Sequence, residues 1–312
     1  MEEDVKKLFI IGNGFDLAHN LPTRYLDYRN YLYKNPDTRD FLMRMETAYG
    51  LSDSNDTWWK DFECNLGEGS FFESDFENMA LCAVDEMIDD EGEPMPDVES
   101  TLENYFKPYY EFMEQLNKTV MQWVNTIDLT SVSRITKRIT NSDALYFSFN
   151  YTSVLESVYG IDNNRVFHVH GSVLEHYVIM GHGNMEAVEH FSKETDEAEE
   201  RLEKNLATIK YGIYSFYKAS YKDTKTIIEQ NQSVFNSYKG IGEIYIYGHS
   251  MGEVDKPYFK EIKRHSLPNC DWYVYIYCDD SSFAKEKADW IKKMEFLNIN
   301  RKRLHVVSAS KF

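Results

Sequence analysis

The sequence predicts an α/β fold: a mostly parallel sheet with helical insertions. Short apolar runs recur along the chain, and they are continuous rather than alternating. Strands buried on both faces read this way, because helices cover a parallel sheet on each side. Long charged stretches of helical composition separate the runs. The hydrophobic fraction is 42% and the aromatic fraction 15%, which supplies a core and excludes global disorder. With 312 residues, the chain suits one domain over 1–312 built as a core plus insertions.

The strand series begins with KLFIIG at 7–12 and continues with ALYFSF at 144–149, VFHV at 166–169 and VIMG at 178–181. It ends with EIYIYG at 243–248, WYVYIYC at 272–278 and LHVVS at 304–308. Two stretches interrupt it and read as helical insertions, 26–140 and 186–239. Within the first, Leu102, Tyr105, Phe106, Tyr109, Phe112, Met113 and Leu116 recur at three–four spacing, the signature of an amphipathic helix. Pro108 ends or kinks that helix, and DDEGEPMPD at 89–97 reads as an exposed loop.

The net charge is −18, and 15 acidic residues with no Lys or Arg lie between Lys60 and Lys107. Phosphate backbones need cationic partners, so direct nucleic-acid binding is not expected. No run approaches the ~20 apolar residues of a bilayer span, and no membrane partner is expected. Met1 is followed by Glu2, Glu3 and Asp4, the wrong start for a signal peptide. Cys64, Cys82, Cys270 and Cys278 form no CxxC pair, which argues against structural zinc and a disulfide framework. A reduced, cytoplasmic protein is the expectation.

Four segments carry chemistry. LFIIGNGFD at 8–16 runs a buried strand into Gly12-Asn13-Gly14-Phe15-Asp16. Glycines there allow a tight turn and close approach to a ligand, as in Rossmann-like sheets. A helix starting here would offer its amides to an anion. Asp16 either caps that helix or bonds a ribose hydroxyl. LYFSFNYT at 145–152 sets Asn150 and Thr152 just past a strand's carboxyl end, the edge that lines ligand crevices in open α/β sheets. The other reading of Asn150 is a cap on a helix beginning near Thr152 or Ser153.

VFHVHGS at 166–172 alternates His168 and His170, so both are expected on one face. A metal would need a third ligand, and His182 is the one further candidate, so no metal is expected. His170, next to the Gly171 turn, reads as the general base, and His168 as a satisfied structural histidine. IYIYGHSMG at 244–252 matches G-x-S-x-G, with Asp279 and His305 downstream in triad order. Pro257 stands where a serine hydrolase would continue its long helix, and this reading leaves the other three segments unused.

GNGFDLAHNLPTRY (12–25), WWKDFE (58–63), FNYT (149–152), HVHG (168–171) and YGHSMGEVD (247–255) together resemble the AbiH family of bacterial abortive-infection proteins. The pattern is also similar, distantly, to sirtuins. Gly12 to Asp16 fall on the sirtuin glycine turn, and Asn20 to Tyr25, including Thr23 and Arg24, on the loop after it. Asn150 and His170, 20 residues apart, resemble the sirtuin Asn and His elements in type and spacing. Gly248-His249-Ser250-Met251 resembles a late phosphate- or ribose-contacting element, with Asp255 beyond it. The four-cysteine zinc module is missing, and the acid of the sirtuin loop is replaced by Thr23.

This resemblance implies a SIR2-like core that binds NAD and hydrolyses its N-glycosidic bond, with Asn150 and His170 catalytic. Gly12, Asn13, Gly14, Phe15, Asp16, Thr23, Arg24, Tyr25, Gly248, His249, Ser250 and Asp255 would bind the nucleotide, with the pyrophosphate on the amides of 12–16. The alternative it leaves open is a sensor that binds NAD or ADP-ribose without cleaving it. An unrestrained NAD hydrolase would poison its host, so some restraint is expected, whether homo-oligomerisation, a phage-derived trigger or an occluding insertion. Trp58 to Glu63 either closes over the site, with Glu63 inward, or packs the insertion.

Overall fold

The computed structural model describes residues 6–51, 56–68, 107, 111–140 and 143–309. The loop expected at 89–97, Pro108, the first half of the amphipathic face and most of the acidic stretch lie outside the described residues.

The fold is α/β. The strands are β1 (Lys7–Ile11), β2 (Ala144–Ser148), β3 (Val166–His168), β4 (Gly171–Ser172), β5 (Tyr177–Val178), β6 (Glu243–Tyr247), β7 (Asp271–Ile276) and β8 (Leu304–Ser308). Six of them form one sheet in the order β3-β2-β1-β6-β7-β8, and every pairing in it is parallel. In chain order this is 3-2-1-4-5-6, the Rossmann arrangement, whose order reverses between β1 and β6. The run at 178–181 does not join this sheet. Its Val178 pairs antiparallel with Gly171, closing the small β4–β5 ladder.

Apolar side chains cover both sheet faces, which is why the strand sequences are continuous rather than alternating. Leu8, Ile10, Phe147, Ile244, Ile246, Val274 and Ile276 share one face with Tyr258, Phe259 and Ile262 of the helix Lys256–His265. Phe9, Ile11, Tyr146 and Tyr247 share the other with Phe15, Val154, Leu155 and Tyr159. On this second side, rings stack across five adjacent strands. Tyr146, Phe9, Tyr245, Tyr273 and His305 follow one another at centroid distances of 5.5, 4.9, 4.9 and 4.7 Å. Each neighbouring pair is also a register pair, so cross-strand stacking helps fix the alignment. Tyrosine suits these positions because its hydroxyl keeps a partner, as Tyr245 does in Glu243 at 2.6 Å.

The chain divides into two compact units. The first, 1–24, 121–178 and 223–312, contains the whole sheet. The second, 25–120 and 179–222, is helical where it is described. Its segments are shorter than the helical stretches read from the sequence: 121–140 and 223–239 belong to the sheet-bearing unit. Inside the second unit Trp59 and Phe62 are buried and stacked at 5.0 Å, and Tyr28 bonds Thr119 at 2.7 Å. Glu63 accepts hydrogen bonds from Tyr25 and Lys222 of the same unit. No helix among the described residues is long and apolar enough to cross a membrane.

The turns after β1 and β6 interlock through glycine. Gly12 N–H donates to Tyr247 O at 3.0 Å and Gly14 N–H to Gly248 O at 2.7 Å. Gly248 has φ +70°, and a Cβ there would stand 2.3 Å from Phe15 N. Both the conformation and the contact exclude a side chain. Gly248→Ala is therefore expected to lose about 2 kcal/mol or more of stability in urea unfolding. Gly252→Ala, with φ −57° and nothing within 4 Å, should be neutral or slightly stabilising.

Candidate functional site

In a parallel sheet all carboxyl ends lie on one edge, and the strand order here reverses between β1 and β6. The turn Gly12–Asp16 follows β1, Asn150 and Thr152 follow β2, His170 follows β3, and Gly248–Asp255 follow β6. The sheet topology thus brings these residues to one edge.

Asp16 lies within a six-residue helix, α1 (Asn13–Ala18), and is 1% exposed. It caps nothing, because Gly12 is the N-cap of α1. Its Oδ1 accepts from Asn150 Nδ2 at 2.9 Å and its Oδ2 from Thr152 Oγ1 at 2.6 Å. Burial raises the carboxyl pKa to about 7, against the lowering effect of these bonds and of the His168 charge. Asn150 caps no helix either, since the next helical turn begins after Ser153. Asn150 Oδ1 and Thr23 Oγ1 are buried with no hydrogen-bond partner among the described residues. A buried carboxyl that can hold or release a proton at neutral pH thus lies beside a buried, unsatisfied carbonyl oxygen. Strongly shifted carboxyls cluster at functional sites, and an unsatisfied buried polar atom calls for a partner.

The two histidines part at the end of β3, contrary to the expectation of a shared face. His168 is the last strand residue, whereas His170 follows in the turn. His168 Nε2 pairs with Glu156 Oε1 at 2.8 Å and its Nδ1 with Asn150 O at 2.8 Å. Burial would lower its pKa, but the bond to Glu156, that carboxylate's charge and the Asn150 carbonyl outweigh it and raise the pKa. His170 Nε2 instead lies 3.3 Å from Tyr258 Oη and 3.9 Å from Asp255 Oδ1. Tyr258 belongs to the cluster on the opposite sheet face from Val154 and Leu155, which immediately precede Glu156.

Asp255 also receives His249. Met251 N–H donates to His249 Nδ1 at 2.8 Å, so that nitrogen is the acceptor. His249 Nε2 then carries the hydrogen toward Asp255 Oδ2 at 3.2 Å. Phe149 packs on this group, with its ring 4.1 Å from that of His249.

Several expectations need correction. Three of the glycine-turn amides expected to hold a phosphate are already engaged. The N–H groups of Gly12, Gly14 and Phe15 donate to Tyr247, Gly248 and Gly12 carbonyls. The space a Cβ would need at Gly12 and Gly14 is filled by the backbone of Gly248 and His249. Phe15 is a core side chain, fully buried against His19, Tyr159 and Tyr247. Asn13 Nδ2 anchors the following loop by donating to Thr23 O at 2.7 Å, and Arg24 is exposed. Tyr25 opens the second unit and donates to Glu63 there.

The triad reading of Ser250 fails on distance along the sheet. Ser250 is exposed beyond the carboxyl end of β6. His305 pairs with Asp271 at 3.1 Å, and Asp271 opens β7 at the other end of the sheet. His182 bonds Ser220 at 3.1 Å and accepts from Asn184 N–H at 3.0 Å. Among the described residues, no three His, Cys, Asp or Glu side chains converge to hold a metal.

Sequence reasoning missed Glu156, Tyr258 and the role of Thr152. Thr152 had a usable signal, its place two residues past Asn150 at a strand end. Glu156 had none, because it sits on a single π-turn, Val154–Val158, that no periodicity announces.

A comparison with known families returns one described as "Bacteriophage abortive infection AbiH", which matches residues 8–276. No curated protein and no solved structure matches the chain.

The Asp16 carboxyl has a stability consequence with a definite sign. Its folded pKa lies above its unfolded value, so ionising it opposes folding, and stability falls as pH rises from about 4 to about 7. Asp16→Asn removes that dependence. In urea unfolding at pH 5 and pH 8, the variant should gain on the parent by roughly 2–3 kcal/mol between the two conditions. A constant gap would show an ordinary carboxyl.

Proposed function

The chain belongs to the AbiH family of bacteriophage abortive-infection proteins, and on that premise we propose that it hydrolyses the N-glycosidic bond of a nucleotide of the NAD type. A role in abortive infection follows from the family. The chemistry rests on one observation: the Asp16 carboxyl, buried, held by Asn150 and Thr152, and titrating near neutrality beside the unsatisfied Asn150 Oδ1.

Asn150 Oδ1 would accept a hydrogen from the attacking water or a ribose hydroxyl. Asp16, as carboxylate, would take the water's other proton. The water oxygen would bond to the anomeric carbon as the C–N bond breaks. That bond's electron pair returns to the pyridinium nitrogen, so nicotinamide leaves neutral, ADP-ribose is the second product, and the proton stays on Asp16. The transition state has oxocarbenium character, which a nearby carboxylate stabilises. His170, whose Nε2 lies against Tyr258 and Asp255, would accept a proton from a ribose hydroxyl. The turn amides take no phosphate in this scheme, because the sheet loops already use them.

The test is nicotinamide release from NAD by the purified protein. The rate should rise with pH through about 7 and then level, because the working form of Asp16 is the anion. Asp16→Asn and Asn150→Ala should each lower kcat by on the order of 10²–10⁴-fold, and His170→Ala should also lower it. Full activity in the first two variants would refute the assignment. Saturable NAD or ADP-ribose binding without release would make the protein a nucleotide sensor.

A further inference from the structure

We propose that Glu156 and His168 are a positioning pair for the reacting carboxyl: the His168 imidazolium grips the Asn150 main chain while Glu156 keeps it protonated. The inference rests on the reading of Asp16 as the group that reacts.

Both ring nitrogens of His168 face acceptors, the Asn150 carbonyl and the Glu156 carboxylate, each at 2.8 Å. An imidazole that donates at both nitrogens is an imidazolium. The pair is nearly shut from water, with side chains 5% and 8% exposed. Replacing such a buried pair by apolar residues is often neutral or stabilising, so its presence is poorly explained by stability alone. Its location suggests a different purpose. The carbonyl gripped by His168 belongs to Asn150, whose Nδ2 bonds Asp16 and whose Oδ1 is unsatisfied.

The residue that supplies the counter-charge is placed by unusual backbone. Val154 and Leu155 are 1% and 2% exposed in the core, and the π-turn they begin carries Glu156. Isolated π-turns are rare and recur at functional sites. Glu156 Oε2 is buried and has no hydrogen-bond partner among the described residues. The groups that face the Asp16 carboxyl are accordingly Asn150 and Thr152 from the turn after β2, the His168 cation from β3 and the Glu156 anion from the π-turn. His168 favours the Asp16 anion and Glu156 opposes it. Both charges therefore act on when Asp16 can accept a proton, although neither touches substrate.

Two variants test this. His168→Gln removes the cation and leaves Glu156 facing Asp16. The Asp16 carboxyl, followed by carbon NMR against Asp16→Asn, should then titrate clearly higher than in the parent. That titration needs no substrate, so it stands or falls separately from the NAD reading. A parent midpoint near neutrality with no change in His168→Gln would overturn the positioning role alone. The double variant His168→Met with Glu156→Leu removes both charges and leaves an apolar, foldable site. Its kcat for nicotinamide release should drop on the order of 10–100-fold with little change in KM, through a loosened Asn150. Parental kcat in a folded double variant would overturn the inference.

Discussion

One buried carboxyl ties the helix after β1 to the turn after β2. Asp16 comes from the helix after β1, and its partners Asn150 and Thr152 come from the turn after β2, 134 and 136 residues later. A carboxyl removed from water must be paired or protonated, and this one has bonds to both oxygens yet ionises only near neutrality. The tension between desolvation and hydrogen bonding puts its titration near neutrality. It also makes the geometry of Asn150 and Thr152 conditional on Asp16, and the reverse.

That balance needs a rigid support. The sheet supplies it through parallel pairing on both sides of β1 and the ring ladder from Tyr146 to His305. The glycine interlock between the β1 and β6 turns then sets where α1 begins. A helix of six residues has little stability of its own, so its register comes from this packing. The Asp255 group, with His170 on one oxygen and His249 on the other, is held to the same edge by the turn after β6. Side chains on short turns are thus placed by strands that cannot shift independently.

The sheet was readable because its physics is local. Strands covered on both faces must be apolar throughout, and the runs at 7–12, 144–149, 166–169, 243–248, 272–278 and 304–308 each contain or overlap a sheet strand. The run at 178–181 looked the same, but a two-residue ladder with Gly171–Ser172 takes its start instead. Strand-end position also marked Asn150 and His170 as edge residues, and both follow the carboxyl ends of sheet strands. What local pattern could not show was partnership. Gly12-Asn13-Gly14 has the same sequence whether its glycines admit a phosphate or another loop, and here they admit Gly248 and His249. Asp16 looked like a cap or a ribose ligand because its partners lie far along the chain. Glu156 was invisible for the same reason, with a π-turn added. The acidic excess said what the chain would repel and nothing about this edge.

Difference infrared spectroscopy reads the protonation state of Asp16 directly. The spectrum of Asp16→Asn is subtracted from that of the parent across the neutral range. The expected result is the carbonyl band of a protonated, buried carboxyl that is strong near pH 5.5 and exchanged for carboxylate bands by about pH 8.5, with a midpoint near 7. Carboxylate bands already complete at the acid end would show an ordinary, solvated aspartate, and the acid–base centre described here would not exist.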